Sequence, residues 1–201
     1  FKNLDYEYIP LNLKGYLFLI IDSKEERFLP ATDYNKRRKE CNDAFNVIKN
    51  ITKNKTLSSL SDIDLNLLED LKGKLPLNLF KRVKHVVTEN SRVIKAKKYF
   101  KEGDMKSLGE ILLKSHRSLK DDYEVSTEKL DYLVKRSIAI DGVLGTRLMG
   151  AGFGGCVISL VDKRKVENIK NKLTEDYYGK FKLTPAFVKC ESSDGTVRVN
   201  N

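Results

Sequence analysis

Four glycines stand within six residues at Gly150-Ala151-Gly152-Phe153-Gly154-Gly155, directly ahead of the apolar run Cys156 to Val161. Glycine lacks the Cβ that forbids positive φ, so such a segment can turn sharply and let backbone N–H groups converge on an anion, for which a phosphate is the natural guest. The alternative is structural: a tight turn where a helix and a sheet pack closely. The run that follows is short, apolar and β-branched, which suits a buried strand.

Three familiar phosphate-binding loops are excluded by context. Gly150, Gly152 and Gly155 satisfy G-x-G-x-x-G, but a dinucleotide-binding turn follows a strand and opens a helix. This one follows a helix at a short distance and opens onto a strand. A Walker A loop ends in Gly-Lys-Ser/Thr, whereas Gly155 is followed by Cys156 and Val157. A protein-kinase glycine loop needs that family's catalytic and metal-binding aspartates downstream, and their sequence contexts are absent.

The rest of the chain reads as an α+β domain. Gly15 to Ile21 is a second buried strand. Asp33 is placed to cap a helix whose apolar residues Cys41, Ala44, Phe45 and Ile48 recur at i, i+3, i+4 and i+7. A short helix is expected near Asp62 to Leu71, then two longer ones. The first carries Phe80, Val83, Val87 and Ile94; the second carries Met105, Leu108, Leu112 and Leu119, with Gly103-Asp104 as stop and cap between them. A further helix after Ser126 presents Leu130, Leu133, Val134 and Ile138, and another presents Val166, Ile169, Leu173 and Tyr177. Strands are expected at Ala186 to Lys189 and Thr196 to Val199. Helices in the middle and strands mixed with a helix at the end predict an antiparallel sheet packed against a helical layer.

Composition narrows the function classes. At 201 residues, 40% hydrophobic and 33% charged, the chain is expected to form one domain over residues 1–201. It opens on Phe1 with no signal-peptide pattern, which reads as a piece of something longer. The longest apolar runs fall far short of the roughly 20 residues of a membrane-spanning helix. Cys41, Cys156 and Cys190 lie far apart and only two histidines accompany them, so no metal site is expected and a cytoplasmic protein with reduced thiols is. The net charge of +10 comes from lysines scattered among acidic residues rather than clustered around aromatics, which argues against a nucleic-acid partner.

Several separated segments carry a resemblance. Ser118 to Ser126, Leu130-Asp131 and Gly142 to Cys156 are similar to the third motif of the GHMP kinase superfamily in its galactokinase form. Tyr8-Ile9-Pro10-Leu11, Asp33-Tyr34-Asn35-Lys36-Arg37-Arg38-Lys39-Glu40-Cys41 and the tail Asp194 to Val199 resemble the same family's segments in the same order. The resemblance implies a GHMP kinase C-terminal domain and transfer of the γ-phosphoryl of ATP, with Mg²⁺, to the 1-hydroxyl of α-D-galactose.

On that resemblance Tyr34 would direct its hydroxyl at galactose, an apolar ring carrying one polar handle. The alternative for Tyr34 is a helix-start tyrosine that covers the core. The loop Gly150, Ala151, Gly152, Phe153, Gly154 and Gly155 would border the cleft on its phosphate side. Arg27 would face the nucleotide phosphates, or else be an ordinary surface arginine. Asp121, Asp122 and His116 fit a helix end and cap better than an acid–base pair. The family's galactose-recognition motif, second phosphate loop, Mg²⁺ ligands and catalytic aspartate are missing, so no catalytic residue is expected here and no tight ATP or Mg²⁺ binding by this piece alone. Two relatives of the same chemistry remain open: a kinase for N-acetylgalactosamine, and a sugar sensor without phosphotransfer.

Overall fold

The computed structural model describes residues 7–26, 31–54 and 56–190. The first strand, β1 (Tyr16–Asp22), alternates in burial, with Leu17, Leu19 and Ile21 on one face and Tyr16, Phe18 and Ile20 on the other. That period of two lets one strand serve two cores. It pairs antiparallel with β3 (Cys156–Asp162) and with β4 (Ala186–Cys190), and β3 pairs antiparallel with β2 (Val143–Leu148). The order β2-β3-β1-β4, with helical connections from β1 to β2 and from β3 to β4, is the ferredoxin-like arrangement. The antiparallel sheet and helical layer expected from the sequence are present; the strand expected at Thr196 to Val199 lies outside the described residues.

Helices α5 (Glu128–Ile138) and α6 (Val166–Phe181) cover the first face. Leu130, Leu133 and Val134 from α5 and Ile169, Leu173 and Tyr177 from α6 meet Leu17, Leu19, Ile21, Val157 and Val161 there. The hydroxyls of Thr146 and Ser159, both fully buried, satisfy each other across this face at 2.9 Å.

An excursion of four helices leaves the sheet between β1 and α5: α1 (Ala31–Thr52), α2 (Leu65–Asp70), α3 (Leu77–Glu102) and α4 (Met105–Asp121). Ala44, Ile48, Leu68, Val83 and Val87 build a second core among the first three. Met105 and Leu108 of α4, with Ala96, Tyr99 and Phe100 of α3, close over Tyr16, Phe18 and Leu160 on the other face of the sheet. Gly103 ends α3 at φ 66° and Asp104 caps α4 by accepting from the Ser107 amide at 3.0 Å, as the sequence indicated.

Two local expectations are corrected. Asp33 lies inside the first turn of α1 rather than at its cap, where a carboxylate still meets the positive end of the helix dipole. Ile94 does not face a core: it is 70% exposed, with Val93 beside it at 62%. Helix α3 passes from one core, which it meets at Val83 and Val87, to another, which it meets at Ala96, Tyr99 and Phe100, and Val93 and Ile94 lie in the stretch between them.

Candidate functional site

The glycine segment joins β2 to β3, so a strand precedes it, not a helix at short distance; what rules out a dinucleotide turn is the strand that follows. Its backbone is left-handed almost throughout: φ is 80° at Gly150, 83° at Gly152, 56° at Phe153, 110° at Gly154 and 83° at Gly155. Phe153 tolerates this strain because its ring packs against the main core.

Two peptides clasp the loop. On one side the Phe153 amide donates to Val125 O at 2.8 Å, and a Cβ on Gly152 would stand 2.1 Å from that same carbonyl. On the other, the Ser23 amide and hydroxyl both donate to Gly155 O, at 3.0 and 2.5 Å, while the Gly155 amide donates to Glu25 O at 3.3 Å. Glu25 also ties the flanks together, its carboxylate accepting from Thr127 Oγ1 and, at 3.2 Å, from Lys129 Nζ. The amides of Gly150 and Ala151 make no hydrogen bond among the described residues and belong to residues that are not buried, so they remain as donors. The loop is therefore a close-packed turn with two unengaged N–H groups at its start.

Tyr34 lies in the first turn of α1 and is 53% exposed, so it is not a core tyrosine. Two turns on, Cys41 Sγ lies 3.9 Å from Tyr123 OH. Tyr123 stacks on the His85 ring, centroids 4.5 Å apart. Burial, then Cys41 and Tyr34, push the Tyr123 phenol up, which keeps it a neutral donor. Tyr123 and Val125 belong to one connection, between α4 and α5. That connection meets α1 at Cys41, two turns on from Tyr34, at one end and the glycine loop at the other.

Arg82 fixes the connection in place. It is 1% exposed; its Nε donates to Glu40 Oε2 at 2.6 Å, Nη1 to Asp122 O at 2.5 Å and Nη2 to Glu124 Oε2 at 2.7 Å. Burial alone would raise the Glu40 carboxyl, but Arg82 and Arg37 hold it below the usual range. Hydrogen bonds from Lys81 and Arg82 bring Glu124 down to about 2, and they hold this residue at φ 56°.

Asp122 ends α4 as expected, accepting from Ser118 Oγ at 3.0 Å and Lys84 Nζ at 2.8 Å. His116 is buried, its Nδ1 accepting from the Leu148 amide at 3.3 Å and its Nε2 lying 3.3 Å from Asp131. Burial would raise Asp131, yet His116, Lys120 and Ser126 bring it to about 2. These are supports beneath the loop. Arg27 lies outside the described residues. The roles of Ser23, Glu25, Val125 and Arg82 went unnoticed in the sequence because their partners lie from about 27 to 132 positions away.

His85 makes stability pH-dependent. Burial, helped by Arg92 and Arg147 and opposed by Glu89 and Asp122, lowers it from 6.5 to about 4. As pH falls below about 6.5 the unfolded chain takes up a proton that the folded chain refuses until about 4, so stability is lost across that window. The loss is expected to reach about 2–3 kcal/mol at 1.36 kcal/mol per unit. Urea unfolding at several pH values checks this, and His85→Gln should flatten the difference.

Residues 96–179 match the model of the family described as GHMP kinases C terminal, a span that includes the whole glycine loop. A galactokinase of Thermotoga neapolitana is 41% identical over 201 residues, covering 98% of this chain and 53% of its own length. One from Thermosipho africanus is 40% identical with the same coverage. The crystal structure of Lactococcus lactis galactokinase complexed with galactose superposes with a TM-score of 0.89 at 34% identity, over 98% of this chain and 50% of that one. The chain thus spans about half the length of the curated relatives it matches. Residues 96–179 therefore belong to the family of GHMP kinase C-terminal domains, and over 98% of its length the chain is similar in sequence and in fold to galactokinases.

Proposed function

We propose that this chain is one wall of the active-site cleft of a galactokinase, which moves the γ-phosphoryl group of ATP to the 1-hydroxyl of α-D-galactose, giving galactose 1-phosphate and ADP. The observation that carries this reading is the likeness, across 98% of the chain, to a galactokinase whose structure holds galactose. On this reading the half-exposed Tyr34 hydroxyl meets a sugar hydroxyl. The unengaged amides of Gly150 and Ala151 border the phosphates. Phosphoryl transfer depends on positioning and on stabilising spread negative charge, which fixed N–H dipoles do without reorganising.

ATP supplies the phosphoryl group when bound; the loop's free donors fit a phosphate neighbour. Mg²⁺ does not fit in the same way, because no group of three His, Cys, Asp or Glu side chains converges among the described residues. The catalytic base and metal ligands belong, on this reading, to a further part of the polypeptide, with galactose and ATP shared between the parts. No helix among the described residues is long and apolar enough to cross a membrane. On this reading the enzyme is cytoplasmic and takes no nucleic-acid partner. A kinase for N-acetylgalactosamine or a sensor without phosphotransfer gains no support from relatives named galactokinase.

Galactose-dependent ADP production by this chain alone is expected to be absent, and clear turnover would sink the half-cleft reading. In a longer form that carries the missing motifs, Tyr34→Phe should raise KM for galactose about 2- to 12-fold, the equivalent of one ordinary hydrogen bond of about 0.5–1.5 kcal/mol. Unchanged KM and kcat would remove Tyr34 from the sugar site.

A further inference from the structure

Between α3, α4 and the sheet face that carries Phe18 and Ile158 lies an open cavity of about 290 Å³. Its walls are apolar except at one end, where Glu89, Arg92 and Arg147 meet beside Gly150. Glu89 Oε1 accepts from Ser115 Oγ at 2.6 Å and from Arg147 Nη1 at 3.1 Å, and Oε2 accepts from Arg92 Nε at 2.6 Å. Arg92 Nη2 donates to Thr88 Oγ1 at 2.9 Å, and Arg147 Nε to Leu148 O at 2.9 Å. One carboxylate therefore faces two guanidiniums, and one positive charge is left over.

Arg147 Nη2 has no hydrogen-bond partner among the described residues. Its side chain is only 28% exposed, and that of Arg92 14%. A surplus charge beside apolar walls is poorly solvated and gains most from an anion that brings its own apolar surface. The cavity has room for about ten non-hydrogen atoms if each takes about 30 Å³, the share of a water molecule.

We propose that this groove is a second ligand site for a small amphipathic monoanion, an aryl or branched-alkyl carboxylate. Its apolar body would lie along Phe18, Phe100 and Ile158, with its carboxylate on Arg147. Because Met149 and Gly150 line the same cavity, an occupant would touch the first residue of the glycine loop.

The probe is 3-phenylpropanoate, titrated into this chain with its methyl groups labelled for NMR. Saturable shifts are expected at the methyls of Ile158, Leu112 and Met149, with a Kd of about 1 mM for a ligand of this size. The uncharged 3-phenylpropanamide and inorganic phosphate should each bind at least about tenfold more weakly, as should the carboxylate to Arg147→Gln. Ala96→Trp fills the groove away from the ion cluster and should abolish the shifts. If either variant fails to fold, the comparison of carboxylate with amide on the unaltered chain decides. No saturable shift, shifts confined to other methyls, or equal binding of the amide would overturn the proposal. So would the same shifts on concentrating the chain without ligand, together with a doubled mass, which would assign the groove to a second copy.

Discussion

Arg82→Ala is expected to lower the unfolding free energy by about 3–5 kcal/mol, because it removes one partner of a buried ion pair and leaves the buried Glu40 carboxylate with Arg37 as its remaining guanidinium. Three attachments go at once: to Glu40 on α1, to the Asp122 carbonyl and to Glu124. Glu40 keeps Arg37 as a second partner at 2.9 Å, which softens the loss but cannot follow the connection between α4 and α5. At about 2–4 °C per kcal/mol for a chain of this size, the midpoint of thermal unfolding should fall by about 6–20 °C. Adding Glu40→Leu to an Arg82→Met variant should recover part of the loss, since an apolar pair removes the stranded charge. A loss below about 1 kcal/mol for Arg82→Ala would mean that water replaces the guanidinium, and that the network carries little.

Gly109→Ala sets two effects of opposite sign against each other. Alanine inside a helix is better than glycine by about 0.8–1 kcal/mol, so on an isolated α4 the change would stabilise. In the fold, a Cβ on Gly109 would stand 2.3 Å from the Leu144 carbonyl oxygen, and one on Gly145 would stand 2.0 Å from the Gly109 carbonyl oxygen. Both obstacles are backbone, which cannot swing aside as a side chain can. Relief requires α4 to lift off β2, which would loosen the seam that roofs Tyr16, Phe18 and Leu160. Overpacking of this kind costs about 1–3 kcal/mol or more, and here it outweighs the propensity gain. Denaturant unfolding should therefore show a net loss for Gly109→Ala and a larger one for Gly145→Ala, which has no helix gain to offset it. A stabilised Gly109→Ala would show that the helix and strand can separate freely.

The two expectations also show where reading a sequence stops. Gly109 lies in a helical pattern and Gly145 in a strand-like one, and nothing local to either indicates that they meet. Arg82 looks like a surface arginine in a run with Lys81 and Lys84. Only the crossing of α1, α3 and the α4–α5 connection turns it inward. By contrast the helices through Val83, Leu108, Leu133 and Leu173 were legible, because each repeats its apolar residues at the helical period and, except at Ile94 and at Ile138, which is 41% exposed, buries that face. The stop and start at Gly103-Asp104 were legible for a local reason too: one residue accepts positive φ and the next caps.

For the site the division is similar. That Gly150 to Gly155 makes a turn of unusual backbone is determined by its own residues, since only glycine takes those φ values without strain. That Tyr34 starts a helix is likewise local. Which peptides clasp the loop, and that α1 meets the Tyr123–Val125 connection at Cys41, depend on residues from about 28 to 132 positions apart brought together by the packing of separate elements. Patterns of period two and 3.6, and the steric freedom of glycine, act between near neighbours and so are written in the chain itself. Close approaches such as Gly152 to Val125, and the charge balance among Glu89, Arg92 and Arg147, arise only when separate elements pack, and the tertiary structure alone decides them.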